Sequence, residues 1–187
     1  MDAEARPPFR GDYVEGSVVV FDRAQARAVY SLGYFGKPLG VPKPKGTDFD
    51  EPLVLDLIEA RYLVEEGYLE VYKDGRRMTA EEVAEVGRAN YTKYDDLYSV
   101  YRDLRKRGYY VSTGIKFGSD FAVYVYGPGI DHAPFIVLVR SEDEQLWATD
   151  IVRAGRLSTT VKKNFLIATV DKERGRVRYL SISWARM

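Results

Sequence analysis

The sequence predicts a mixed α+β protein built from two consecutive units. Three observations lead to this fold class. Short β-branched runs alternate with segments whose apolar residues recur at helical spacing. The chain has 187 residues, of which 45% are hydrophobic, enough to bury one large core or two small ones. The alternation begins again near residue 91, so we expect a small α/β domain over residues 1–90 and a second domain, with a central mixed sheet flanked by helices, over residues 91–187.

The first unit is predicted to open with a strand and a helix. Residues 17–21 (SVVVF) form a β-branched run, and Asp22 is suited to cap a helix over residues 23–32 that stops at Gly33. Residues 36–46 (GKPLGVPKPKG) then combine three prolines, three glycines and three lysines. This composition predicts an exposed loop.

Two further helices are predicted after the loop. Pro52 suits the first position of a long helix that ends at Gly67. Residues 69–73 (LEVYK) form a strand that an Asp-Gly pair turns back. Thr79 and Glu82 have capping-box spacing and therefore start a further short helix.

The second unit is predicted to begin with an amphipathic helix that Thr92 caps and Gly108 ends. Alternating and β-branched patterns follow, together with one more helical segment. We expect paired strands at 109–118 and 120–127, a buried strand at 134–141, a helix at 148–161, and a hairpin of 164–171 and 176–184.

Composition excludes several classes of protein. Lys+Arg and Asp+Glu number 28 each, so the chain is neither a generally basic coat protein nor an acidic tail protein. The absence of cysteine excludes a disulfide framework, a thiol nucleophile, a zinc finger and an iron–sulfur cluster, and one histidine leaves little for a transition-metal site. The lack of cysteine favours a cytoplasmic protein. The start lacks a signal-peptide core, and no stretch reaches the roughly 18 apolar residues of a membrane span, so we expect a soluble protein. No cofactor is expected.

Charge is nevertheless polarised along the chain. Residues 153–187 contain nine basic residues and only two acidic ones, Asp171 and Glu173. A basic C-terminal face favours binding of a polyanion. A solvated basic surface is the alternative interpretation.

A metal-dependent nuclease is the first enzyme class to consider. Such an enzyme places an aspartate on one strand and an acidic residue with a lysine on the next. Asp120 is a candidate for the first position, but residues 134–141 contain no acidic residue and Glu142 follows the strand end. The sequence therefore gives a metal site no support.

His132, in the loop sequence GPGIDHAP, indicates a different chemistry. RNA carries its own nucleophile, the 2′-hydroxyl, so cleavage without metal needs only a base and an acid. Histidine is the side chain that donates a proton near neutral pH. A lone surface histidine is the alternative interpretation of this residue.

Three motifs together are far more specific than a single histidine or a lone glycine-rich turn. They are LRKRGYYVSTGIKFGSDFAVY at residues 104–124, the His-Ala of DHAPFIVLV, and RAGRLSTTVKK ending at Lys163. On these motifs the second half of the chain resembles the catalytic domain of the archaeal tRNA-splicing endonucleases, and the first half resembles their smaller N-terminal domain. The basic loop at 36–46 is similar to an insertion in crenarchaeal members.

The resemblance implies an endoribonuclease that excises introns from precursor tRNA at bulge–helix–bulge motifs, without metal, leaving 2′,3′-cyclic phosphate and 5′-hydroxyl ends. Its Tyr–His–Lys triad falls on Tyr124, His132 and Lys163, with Tyr126 as a rival tyrosine on the same strand face and Lys162 as a rival lysine. The lysine would stabilise the tyrosine phenolate and the phosphorane, because a phenol is otherwise a poor base at neutral pH. The histidine would protonate the departing 5′-oxygen, and its neighbour Asp131 would favour the charged imidazolium.

Binding and assembly residues follow from the same resemblance. RNA-binding roles are implied for Arg156, Arg186, Trp184 and Lys43, and assembly roles for Asp171 and Glu173. Two bulges need two active sites at a fixed separation, so the partners implied are precursor tRNA and either identical chains in a homotetramer or a structural paralogue in an α2β2 heterotetramer. A non-catalytic subunit of the same assembly and a metal-dependent nuclease remain as alternatives.

Overall fold

The computed structural model describes residues 5–41, 44, 46–113, 119–152, 156 and 163–182. By internal packing the chain divides into residues 1–94 and 95–187. Each unit combines a mixed sheet with helices, which confirms the predicted fold class. Within the described ranges, no helix is both long and apolar enough to cross a membrane.

The first unit is built on a six-stranded mixed sheet. Its elements are β1 Phe9–Val14, β2 Ser17–Val20, α1 Arg23–Ser31, β3 Lys37–Pro38, β4 Leu53–Leu55, α2 Leu57–Glu65, β5 Leu69–Lys73, β6 Arg76–Met78 and α3 Ala80–Asn90. The strand order is β3-β4-β2-β1-β5-β6. Strand β1 pairs with β5 in parallel and with β2 antiparallel, which makes the sheet mixed.

Two predicted helix starts are confirmed by their capping contacts. The Asp22 side chain accepts a hydrogen bond from the Gln25 amide at the start of α1. At the start of α3, Thr79 accepts from the Glu82 amide, and the Glu82 carboxylate accepts from the Thr79 amide. Both halves of the capping box are therefore formed.

The helix predicted from Pro52 starts later than expected. Leu53–Leu55 form β4, which pairs antiparallel with β2. Helix α2 begins only after Asp56, whose carboxylate accepts the amides of Ile58 and Glu59. Pairing with β2 holds this short apolar run extended. The capping box of Asp56 and Glu59 then starts the helix at Leu57, five residues after Pro52.

Two shorter differences concern β1 and β3. The sequence pattern does not predict strand β1, because FRGDYV contains a glycine and two charged residues, Arg10 and Asp12, which weaken a strand pattern. The basic loop begins with two residues, Lys37–Pro38, that pair with β4. Pro38 is buried there, so this end of the loop is not fully exposed as predicted.

The second unit is built on a five-stranded mixed sheet. Its elements are α4 Tyr94–Lys106, β7 Tyr110–Thr113, β8 Phe121–Tyr124, β9 Phe135–Arg140, β10 Asn164–Asp171 and β11 Arg176–Ile182, with helical residues at 148–152 and 156. Helix α4 begins at Tyr94, so Thr92 does not occupy the capping position predicted for it. The strand order is β11-β10-β9-β8-β7.

Strands β9 and β10 run parallel, whereas the other neighbours are antiparallel. A parallel pair requires a crossover connection, and the helical residues lie in it. A buried cluster of Ile136, Leu138, Phe165 and Ile167 anchors both strands. This topology places the end of β8 beside the beginnings of β9 and β10.

Candidate active site

The residues predicted for catalysis lie at one end of the second sheet. Val123 of β8 lies opposite Phe135 of β9, and Phe135 lies opposite Asn164 of β10. Tyr124 and Lys163 are each one residue beyond this row, on the same side. Because neighbouring strands are about 4.8 Å apart, the backbones of Tyr124 and Lys163 are separated by roughly 10 Å.

His132 lies on the segment that joins β8 to β9, at the same end of the sheet. Its side chain is exposed, whereas Tyr124 and Lys163 are half-buried. The Lys163 ammonium donates a hydrogen bond to the carbonyl of Ala133, the residue after His132, at 2.7 Å. The lysine is thereby attached to the histidine-bearing segment.

The electrostatics of Lys163 reflect this half-buried position. Burial lowers the pKa of its ammonium, and the negative charge of Asp131 opposes that shift. A partly desolvated cation interacts more strongly with a nearby anion than a fully hydrated one does. Lys163 is therefore suited to stabilise negative charge beside it.

The Asp131 carboxylate bonds to the backbone of the turn that precedes it. It accepts the amide of Val125 at 3.0 Å and that of Gly127 at 2.9 Å. Its expected effect on the neighbouring imidazole of His132 stays a prediction.

Of the two alternative catalytic residues, Tyr126 has a described position and Lys162 does not. Strand β8 ends at Tyr124, so the expectation that Tyr126 shares a strand face with it is wrong. Tyr126 follows in a bend and is 67% exposed. Lys162 lies outside the described residues, so only Lys163 has a described position.

Of the predicted RNA-binding residues, Arg156 has a described position. It is helical and exposed. Lys43, Trp184 and Arg186 lie outside the described residues.

The predicted assembly residues lie at the turn between β10 and β11. Asp171 is only 6% exposed, and its carboxylate accepts hydrogen bonds from the Arg174 amide at 3.0 Å and the Arg178 guanidinium at 2.7 Å. Glu173 is exposed. Asp171 therefore shapes the turn, and Glu173 is the acidic side chain that the turn presents to solvent.

Asp120, the residue considered for a metal site, has a structural partner. Its carboxylate accepts the amide of Val139 at 2.6 Å, which ties the start of β8 to β9. Among the described residues, no group of three or more histidine, aspartate or glutamate side chains is arranged to hold a metal ion.

Comparison with known families gives two matches. The family model of the tRNA intron endonuclease N-terminal domain matches residues 9–84, and that of the catalytic C-terminal domain matches residues 94–179. The second match includes Tyr124, His132 and Lys163.

Individual relatives match over nearly the full chain. A protein of Hyperthermus butylicus named tRNA-splicing endonuclease is 51% identical over 90% of this chain and 93% of its own length. Proteins of the same name from Sulfurisphaera tokodaii and Pyrobaculum islandicum are 39% and 45% identical, over 95% and 91% of this chain and 99% and 96% of their own lengths. These matches confirm the resemblance and the enzyme class that it implies. The chain belongs to the tRNA intron endonuclease family.

Proposed function

We propose that this chain is a catalytic subunit that excises introns from precursor tRNA at bulge–helix–bulge motifs, by metal-independent cleavage. The observation that carries the proposal is the common position of Tyr124, His132 and Lys163 at one end of the second sheet, where Lys163 is bonded to the segment that bears His132. The relatives named tRNA-splicing endonuclease support the choice of substrate.

The proposed reaction uses the 2′-hydroxyl of the RNA as the nucleophile. Tyr124 takes its proton as the 2′-oxygen bonds to phosphorus, and Lys163 stabilises both the phenolate and the charge of the phosphorane. His132 gives its proton to the 5′-oxygen as the P–O bond breaks. The products are a 2′,3′-cyclic phosphate and a 5′-hydroxyl, and no water or metal enters this step.

The exposed histidine and half-buried lysine suit these roles. An acid for the leaving oxygen must reach a phosphate in the docked RNA, and the His132 side chain is open to solvent. A cation that stabilises a developing anion acts best where water is partly excluded, and burial desolvates Lys163.

Cleavage assays with purified protein separate the alternatives. A bulge–helix–bulge RNA and a fully paired RNA of the same length are incubated with the chain in EDTA or in Mg²⁺. We expect cleavage of the bulged RNA in both buffers and none of the paired RNA. Cleavage only in Mg²⁺ would indicate a metal-dependent nuclease. Binding without cleavage in either buffer, by the chain alone and with its partner, would indicate a non-catalytic subunit.

Base recognition is proposed to involve Arg156, Arg186 and Trp184. A base extruded from the bulge stacks on cationic and aromatic side chains irrespective of its identity. The exposed helical position of Arg156 is open to such a base. Arg156→Ala is expected to weaken binding of bulged RNA, with little change for paired RNA.

Lys43 is proposed to contact the substrate phosphates from the basic loop. Pro42 and Pro44 flank it and favour an extended backbone, and lysine offers phosphate a mobile point charge. We expect Lys43→Ala to slow cleavage of RNAs with imperfect bulges more than that of RNAs with the strict motif. Lys37→Ala, in strand β3, serves as the control. Equal activity of Lys43→Ala and the parent on both RNAs across a salt series would remove the loop from the mechanism.

Assembly into a tetramer is proposed to use the turn between β10 and β11. A homotetramer or an α2β2 heterotetramer would supply the two active sites. Glu173 would provide the acidic contact to an opposing subunit, and Asp171 would shape the turn that presents it. Such contacts are screened over about 10 Å at 0.1 M salt, so the oligomer should weaken as salt rises. Glu173→Lys tests the acidic contact without disturbing the turn, because the hydrogen bonds that shape the turn belong to Asp171. Native mass spectrometry of this variant measures whether the oligomer persists. An oligomer that survives charge reversal at both positions in low salt would exclude this role.

A further inference from the structure

Three hydrogen bonds of Asp131 close the turn between β8 and β9, beside one from the Ile130 amide to the Gly127 carbonyl. The carboxylate of Asp131 accepts the amides of Val125 and Gly127, and the Asp131 amide donates to the Gly127 carbonyl at 3.1 Å. The same turn contains Gly129, and both glycines have positive φ angles, +123° and +87°. Such a turn has many accessible backbone conformations, and the contacts of Asp131 select one of them.

This closure connects two of the proposed catalytic residues. Val125 directly follows Tyr124, and Asp131 directly precedes His132. A carboxylate that holds the Val125 amide therefore sets the separation of the backbones that carry the base and the acid. Proton transfer is sensitive to such separations, because a misplacement of about 1 Å can cost about 100-fold in rate.

Asp131 also influences Lys163, the third of the proposed catalytic residues. Lys163 is bonded to the Ala133 carbonyl, two residues after Asp131, and the aspartate charge acts on its ammonium. Two backbone amides and a nearby cation offset the negative charge of Asp131, which would otherwise repel an RNA phosphate.

We propose that Asp131 is a positioning residue for the cleavage reaction, whose carboxylate clamps the turn between β8 and β9 and so holds Tyr124 and His132 in register. The proposal rests on the proposed function of the triad. Asp131 does not touch the RNA in this role, so its loss should lower the rate of cleavage and leave RNA binding unchanged.

The test measures single-turnover cleavage of a labelled bulge–helix–bulge RNA by Asp131→Ala and Asp131→Asn, together with the RNA Kd. We expect about a 10- to 100-fold lower rate for Asp131→Ala at unchanged Kd. Asp131→Asn should be intermediate, because its amide oxygen can accept one of the two backbone amides.

Asp56→Ala is the matched control for lost stability. Asp56 also accepts two backbone amides, those of Ile58 and Glu59, but it caps a helix of the first unit. This variant should lose thermal stability and keep the parental cleavage rate below its melting temperature. If Asp56→Ala cleaved as slowly as Asp131→Ala, the slow cleavage by Asp131→Ala would be explained by lost stability and not by positioning.

Two readouts separate positioning from structural damage. The amide protons of Val125 and Gly127 should exchange faster in Asp131→Ala, with the rest of β8 and β9 unchanged. In the His132→Ala background, Asp131→Ala should lower the rate by less than about threefold more, because the separation of Tyr124 from His132 no longer affects the rate once the imidazole is gone. A full additional loss there would contradict the positioning role.

The two proposals fail in different ways. A parent protein that does not cleave the RNA in EDTA, either alone or with its partner, contradicts the proposed function itself. A parent that cleaves, with Asp131→Ala and Asp131→Asn equally fast, contradicts only the role of Asp131.

Discussion

His132 carries the leaving-group step in this mechanism, and its exposed side chain makes few demands on the fold. His132→Ala is therefore expected to lower single-turnover cleavage by about 10²- to 10⁴-fold, the usual contribution of a general acid. Thermal stability and RNA Kd should stay close to those of the parent. Parental cleavage by this variant would remove His132 from the mechanism.

Tyr124 and Tyr126 provide a matched pair of positions at which to test the identity of the base. Tyr124 ends strand β8 and is half-buried, whereas Tyr126 follows in a bend and is largely exposed. Tyr124→Phe removes only the hydroxyl and should lower cleavage about as much as loss of a general base does, by about 10²- to 10⁴-fold. Tyr126→Phe should change the rate little. The opposite order of rates would assign the base to Tyr126.

Individual residues differ in how well sequence alone predicts them. Sequence motifs identify Tyr124, His132 and Lys163. These motifs can be recognised without knowing how the turns between them fold. The partners of Asp131 and Asp171 depend on backbone amides that only the folded turns bring within reach. An aspartate in a glycine-rich turn was the available signal for Asp131, since such residues often bond nearby amides.

The capping box at the start of helix α3 should make the stability of the protein depend on pH. Hydrogen bonds from the Arg76 guanidinium and the Thr79 amide lower the pKa of Glu82 from its ordinary 4.5 to about 2. A carboxyl whose pKa falls on folding stabilises the fold above its ordinary pKa, and this contribution is lost as pH falls toward the folded value. The parent should exceed Glu82→Gln in free energy of unfolding at pH 7, with the excess vanishing between about pH 4.5 and 2. Denaturant titrations of both proteins across this range provide the measurement, and a constant difference would contradict the account.

Helix α3 also contains a glycine that its packing requires. A β-carbon at Gly87 would collide with the ring of Tyr94, which is buried and donates its hydroxyl to the Leu57 carbonyl. Alanine normally favours a helix by about 1 kcal/mol over glycine, but overpacking should reverse the sign here. We expect Gly87→Ala to lower the free energy of unfolding by about 1–3 kcal/mol. In a Tyr94→Leu background the loss should shrink, and a stabilised Gly87→Ala protein would show that the ring moves freely.

Elements with local signals were predicted better than those set by distant pairing. The capping residues Asp22 and Thr79 act within one turn, and both helix starts are confirmed. Strand β4 is three residues long and extended because β2 lies beside it. The sequence pattern alone therefore predicts that its apolar run belongs to the following helix. Strand β1 gains its conformation in the same way, between β2 and β5.

The whole molecule has a net charge of zero, but its charged residues are unevenly distributed along the chain. In the β10–β11 hairpin, Arg178 of β11 is paired with the buried Asp171 that ends β10. Lys172, Arg174 and Arg176 are exposed at the same end of the hairpin. Exposed cations of this kind suit a polyanion, and binding of RNA should weaken as salt concentration rises.

In the proposed mechanism, the RNA supplies the nucleophile and the protein supplies the acid and the base. The most direct measurement is single-turnover cleavage, in EDTA, of a bulge–helix–bulge RNA that carries one 2′-deoxynucleotide immediately 5′ of the scissile phosphate, compared with the all-ribose RNA. We expect the all-ribose RNA to yield 2′,3′-cyclic phosphate and 5′-hydroxyl ends and the deoxy-substituted RNA to bind equally well without being cleaved there. Cleavage of the deoxy-substituted RNA at that phosphate would contradict the account, since a nucleophile other than the 2′-hydroxyl would then be at work.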